Sequence, residues 1–67
     1  MTPTTEQLGR VMAYLQWDFS LSEERIAEVL SEDIGLIHEA LIILQARQMV
    51  KPTGSTGWRK RPVGGLL

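Results

Sequence analysis

Three successive segments of this chain repeat apolar residues at steps of three and four, and each is preceded by a residue suited to capping a helix. The first opens on Thr4-Thr5-Glu6-Gln7, where Thr4 and Gln7 have the spacing of a capping box and Pro3 stands just outside it. Leu8, Val11, Met12 and Leu15, with Phe19 as a further candidate, then follow on one face, which predicts a helix over about residues 5–17. Asp18-Phe19-Ser20-Leu21 alternates in polarity and leaves two readings open, a short strand or an ordered turn. Ser22 is a good N-cap for a second helix over about 23–30, because Glu23 and Glu24 then sit where the helix dipole favours negative charge. Ile26, Ala27, Val29 and Leu30 supply its buried side. Ser31-Glu32-Asp33 reads as a three-residue turn, and Asp33 caps a third helix over about 34–48. At 100° per residue Ala40, Leu41, Leu44 and the stem of Gln48 fall within about 60° of Ile37, forming the expected core stripe.

After Met49-Val50 the composition changes. Lys51-Pro52-Thr53-Gly54-Ser55-Thr56-Gly57-Trp58-Arg59-Lys60-Arg61 has two glycines within a small polar tip and extendable flanks, which predicts a β-hairpin over about 49–61. Pro52 confines its strand to a sheet edge, since it has no N–H to donate to a ladder. Residues 62–67 read as a frayed tail whose Leu66 and Leu67 have the option of docking. No internal repeat is evident. With 67 residues and 43% hydrophobic content there is enough apolar material for one small core, so a single domain is expected.

The chain has no cysteine, so disulfides, zinc-thiolate sites and cysteine nucleophiles are excluded together, and packing alone must hold the fold. A cytoplasmic setting is expected. The longest apolar run, Ala40 to Leu44, is far short of the roughly 20 residues a membrane span needs, and no secretory signal is expected.

The formal net charge of −1 conceals a division. Residues 1–40 contain all eight acids against Arg10 and Arg25, whereas residues 41–67 contain Arg47, Lys51, Arg59, Lys60 and Arg61 with no acid. The halves therefore carry −6 (2 − 8) and +5. Such asymmetry points to a polyanion-facing or acidic-partner-facing end, or to a charged strand that is simply solvated.

Three helices followed by a glycine-tipped hairpin, with a three-residue turn between the second and third, resemble the winged helix-turn-helix superfamily of DNA-binding domains. The resemblance rests on Leu21 to Leu30 with its Ile26-Ala27 and Leu30 spacing, on Asp33 to Leu44 with Ile37, Leu41 and Leu44, and on Met49-Val50 opening the wing. It covers about residues 5–61 and implies a mainly α fold with a small β-hairpin. It also implies that the third helix enters the DNA major groove while the wing touches the adjacent backbone. Carried over position by position, the groove-facing residues are Ile34, Gly35, Leu36, His38, Glu39 and Ile42. They depart from the usual base and phosphate readers, which are Arg, Lys, Asn and Gln. A second departure is Gln48, where many members of the superfamily have glycine ahead of the wing.

Lys51, Arg59, Lys60 and Arg61 concentrate positive charge on one hairpin, enough to track phosphates without reading sequence. Alternation puts Arg59 and Arg61 on one strand face and Trp58 and Lys60 on the other. Trp58 either stacks on a sugar or base or anchors the wing in the core, and Trp17 is expected to shield the junction of the first two helices. With Arg47 and His38, these wing residues form the expected DNA-binding set. No metal set accompanies His38, no cofactor is expected, and no nucleophile elbow, phosphate loop or carboxylate pair suggests an enzyme or a small-molecule substrate.

The third helix is apolar nearly all round, because Ile42 lies opposite the core direction and Leu36 and Ile43 share a flank. Either the rest of the fold covers that flank or a second chain does. Two functions are thus expected. The first is a small winged-helix regulator or accessory factor holding double-stranded DNA through its wing. The alternative is a protein-interaction module or homodimer using Leu36, Ile42 and Ile43 with Glu39 on the acidic rim.

Overall fold

A computed structural model of the protein describes residues 2–54 and 57–61. The tail 62–67 and the wing-tip residues 55 and 56 lie outside the described residues. Along the chain run α1 (Thr5–Tyr14), β1 (Leu21–Ser22), α2 (Glu23–Leu30), α3 (Ile34–Ala46), β2 (Val50–Thr53) and β3 (Gly57–Lys60). The fold is mainly α, with three helices and a small antiparallel sheet ordered β1-β3-β2, of which β2 and β3 form a hairpin-like wing. Pro52 stands on the outer strand β2, where its missing N–H leaves no gap in the ladder.

Local chemistry starts each helix. Thr4 Oγ1 accepts from the Gln7 N–H at 3.1 Å while Gln7 Oε1 accepts from the Thr4 N–H at 2.9 Å, completing a capping box. Ser22 Oγ accepts from the Arg25 N–H at 3.1 Å. Asp33 Oδ2 accepts from the N–H groups of Gly35 and Leu36 at 2.9 and 3.3 Å. Each bond satisfies a donor that the first helical turn leaves without a backbone partner.

One helix end is set by a distant strand and two by local turns. Backbone geometry leaves α1 at Leu15, short of the expected residue 17, and the Gln16 carbonyl instead accepts the Lys60 N–H at 2.8 Å. Helix α3 likewise ends before residue 48. Gln48 adopts φ +61°, its N–H donates to Gln45 O at 2.9 Å and the Met49 N–H donates to Leu44 O at 3.0 Å, which is a Schellman motif. The same motif closes α2, with Ser31 at φ +56° and the Glu32 N–H donating to Ala27 O at 3.0 Å. Gln48 therefore occupies a left-handed position that favours glycine and is exposed, outside the core stripe expected for its stem. Gln48→Gly is expected to raise stability by roughly 0.5–1 kcal/mol, the relief of left-handed strain exceeding the added entropy of the unfolded chain. Urea unfolding checks this, and a loss of stability would contradict it.

The core consists of Leu8, Val11 and Leu15, Ile26 and Ala27, then Leu36, Ile37, Ala40, Leu41 and Leu44, closed by Val50 and Trp58. Helix α3 supplies the largest share because α1, α2 and β2 all pack on it. Its buried arc consequently extends to Leu36, which is 4% exposed. This corrects the placement of Leu36 on a groove or partner surface. Val29, expected inside, is 46% exposed, because the buried arc of α2 centres between Ile26 and Ala27 and leaves Val29 about 110° away. Phe19 does not extend the α1 stripe either, since it lies beyond the helix and is exposed.

Gly57 explains how the three strands close. Its backbone pairs with Ser22 on one side and Thr53 on the other, and the hydroxyls of Ser20 and Thr53 hydrogen-bond to each other. A Cβ at Gly57 would stand 2.9 Å from both Ser20 Cβ and Thr53 Oγ1, so only glycine lets these residues meet over the central strand.

Candidate nucleic-acid interface

The wing register pairs Lys51 with Arg59, Pro52 with Trp58, and Val50 with Lys60. Pleating therefore puts Lys51 and Arg59 side by side on one face and Trp58 and Lys60 on the other. Facing cations of like charge repel, and no carboxylate among the described residues pairs with them. Among the described residues the ion pairs are Arg10–Glu6 at 3.7 Å, Arg10–Glu32 at 3.4 Å and His38–Glu23 at 2.9 Å, all within the acidic part of the chain. Arg47, Lys51, Arg59, Lys60 and Arg61 take part in none of them. The Arg59 Nε is buried with no hydrogen-bond partner among the described residues. Arg61 follows β3, exposed, with its N–H donating to Met49 O at 3.0 Å.

Trp58 is an anchor and is withdrawn from the set available to a ligand. It is 6% exposed, and its indole Nε1–H donates to Glu23 Oε2 at 3.0 Å. A buried indole needs such an acceptor, and the carboxylate at the start of α2 supplies it. The same Oε2 lies 2.9 Å from His38 Nδ1, so one oxygen ties the first turn of α2 to α3 and to the central strand. Glu23 was legible only as an acid favourable to the helix dipole. Its partners are 15 and 35 residues away, and no spacing in the sequence announces them.

His38 keeps its side chain 55% exposed, but Nδ1 is committed to Glu23. That hydrogen bond, then the charge of Glu23, outweigh a small desolvation effect and, with Glu39, raise its pKa above the ordinary 6.5. The contribution of the pair to stability is therefore fully present below pH 6.5 and is lost as pH rises through the higher folded-state value. We expect the midpoint of urea unfolding to fall over this window, and the fall to vanish in Glu23→Gln. A Glu23→Gln profile as steep as that of the parent would sink the assignment.

The exposed side of α3 carries Ile34, Gly35, His38, Glu39 and Ile42, with Ile34 45% and Ile42 43% exposed. Ile43 is half-buried and packs against the core. This face holds no Lys, Arg, Asn or Gln between Ile34 and Ile42, and its histidine is paired to a carboxylate, so it offers little to a base edge or a phosphate. Arg47 is exposed at the C-terminal end of α3. Trp17 does not shield the α1–α2 junction, being 63% exposed, and Phe19 is 53% exposed. Both lie in the bend between Gln16 and β1.

Among the described residues no helix is long and apolar enough to cross a membrane, and no group of three or more His, Cys, Asp or Glu side chains is placed to hold a metal ion. Three helices, a small antiparallel three-stranded sheet and an acid-free basic hairpin define a mainly α protein whose layout is compatible with a winged helix. Comparison with known protein families, characterised proteins and solved structures found no match to this chain.

Proposed function

We propose that this chain is a small winged helix-turn-helix protein that binds double-stranded DNA as a transcriptional regulator or accessory factor. Its wing grips phosphates, and α3 reads few base edges. The observation that carries this reading is the wing itself. Lys51 and Arg59 oppose each other across β2 and β3, Lys60 and Arg61 follow, and none of the four has a carboxylate partner among the described residues. A surface that tolerates such repulsion gains most when an anion covers it.

The test is an anisotropy titration with mixed-sequence duplex DNA at roughly 50 and 200 mM salt. Four phosphate contacts predict an affinity loss of about 10²-fold between the two. Absence of binding at either salt would remove the reading.

A second reading is favoured by one observation, the exposure of Ile34 and Ile42 on α3. In that case α3 is a protein contact, with Glu39 on its rim and Leu36 no part of it. Ile42→Glu would then abolish association while wing substitutions would leave it intact.

A further inference from the structure

The bend that separates α1 from β1 is forced outward by a mismatch in chain length. On one side the Gln16 carbonyl accepts the Lys60 N–H at 2.8 Å, and on the other Leu21 pairs with Trp58. Between these two ties the β1 side has residues 17–20 and the β3 side has Arg59 alone. Four residues opposite one cannot lie flat in a ladder, so the excess chain loops out beside the end of β3.

That loop carries Trp17 and Phe19, both more than half exposed, in a chain with only four aromatic residues. A domain without disulfides ordinarily uses its large aromatics inside, as it does Trp58. Two rings are instead held in solvent in the bend that the Gln16 carbonyl ties to the Lys60 backbone, so they share one end of β3 with Arg59, Lys60 and Arg61, cations without a carboxylate partner among the described residues. Exposed ring faces at the end of a strand that carries backbone-tracking cations are what an unpaired nucleotide strand requires. Every base has a face to stack, and every linkage has a charge to neutralise.

We propose that the bend at Trp17–Phe19, with Arg59, Lys60 and Arg61, is a binding site for unpaired nucleotides. Trp17 and Phe19 stack on bases, while the three cations hold the connecting phosphates. The proposal rests on the nucleic-acid reading above and deepens it, since a duplex keeps its base faces stacked and offers this site only phosphates. An anionic lipid surface suits the site less well. Asp18 stands exposed between the two rings, and burying both would carry its carboxylate toward the acyl boundary.

The experiment compares a labelled thymidine oligonucleotide of about 15 residues with a mixed-sequence duplex of the same length at low salt. Each is titrated with the parent chain, with Trp17→Ala/Phe19→Ala, and with Trp17→Phe. Both replaced side chains are exposed, so an unchanged thermal midpoint is expected and confirms folding. One stacked base is worth about 5- to 150-fold in affinity. The double variant is expected to lose at least about tenfold on the single strand and less than about twofold on the duplex, with Trp17→Phe close to the parent. Equal losses on both nucleic acids, or undiminished single-strand binding by the double variant, would overturn the proposal and leave duplex binding standing. If neither nucleic acid binds the parent chain, the reading of the wing falls with it. A ring-dependent response to vesicles of phosphatidylcholine and phosphatidylserine, with none to the oligonucleotide, would assign the site to lipid and overturn the proposal too.

Discussion

Replacing Arg59, Lys60 and Arg61 together by alanine is expected to lower affinity for duplex DNA by about 10²- to 10³-fold near 50 mM salt, and to flatten the salt dependence by nearly three log units per log unit of salt. The two effects have one cause. Each cation that neutralises a phosphate releases a condensed counterion, and that release contributes both affinity and salt sensitivity. The loss should be about the same on different sequences, because the exposed side of α3 holds no Lys or Arg to discriminate among them. The combined variant keeps Trp58 and its bond to Glu23, so the wing retains its anchor in the core. Anisotropy titrations at several salt concentrations, with the thermal midpoint measured alongside, decide the matter. A weaker complex with an unchanged salt slope would mean that these side chains are not on phosphates.

The second large effect concerns stability. Ile37 is wholly buried near the middle of the inward arc of α3, the helix against which α1, α2 and β2 pack. Ile37→Ala removes apolar contacts and leaves a cavity that these elements cannot readily collapse to fill, at a cost of about 2–5 kcal/mol. A chain of this length has roughly 3–10 kcal/mol of stability in all, and no disulfide to fall back on. The variant should therefore be partly or largely unfolded at room temperature, as read by far-ultraviolet circular dichroism and urea titration. A loss below about 1 kcal/mol would show that α3 is not the centre of the core. Ile42→Ala on the opposite side of the same helix, 43% exposed, should cost much less.

Much of the architecture was legible because its information is local. Thr4 with Gln7, Ser22 with Glu23 and Glu24, and Asp33 ahead of α3 all act within one helical turn, and the apolar spacing after each reports which side is buried. The bounds of α2 could be read directly for this reason. The basic wing was legible as composition, and Pro52 marked its outer strand. Much of what escaped depends on a distant partner, although the end of α3 at Ala46 and the outward side of Val29 are local. Leu15 and Gln16 have nothing against continuing α1 until the Lys60 N–H claims the Gln16 carbonyl from 44 residues away. The two-residue strand β1 exists only because Trp58 and Gly57 lie beside it. Leu36 looked like a flank residue because a helical wheel does not say how many elements pack on the helix, and Trp17 looked like a shield over the α1–α2 junction because a large aromatic at a helix end is usually structural.

The candidate site divides in the same way. Sequence by itself determined the three helix starts, the turn at Ser31-Glu32-Asp33, the cysteine-free core and the concentration of Lys51, Arg59, Lys60 and Arg61 on one hairpin, since capping, periodicity and charge are properties of near neighbours. Only the tertiary structure decided that Trp58 is an anchor while Trp17 and Phe19 face solvent, and that Glu23 joins His38 to Trp58 through one oxygen. Those outcomes depend on which buried donors find acceptors and which chain segments are too long to lie flat, and both are settled when remote parts of the chain meet.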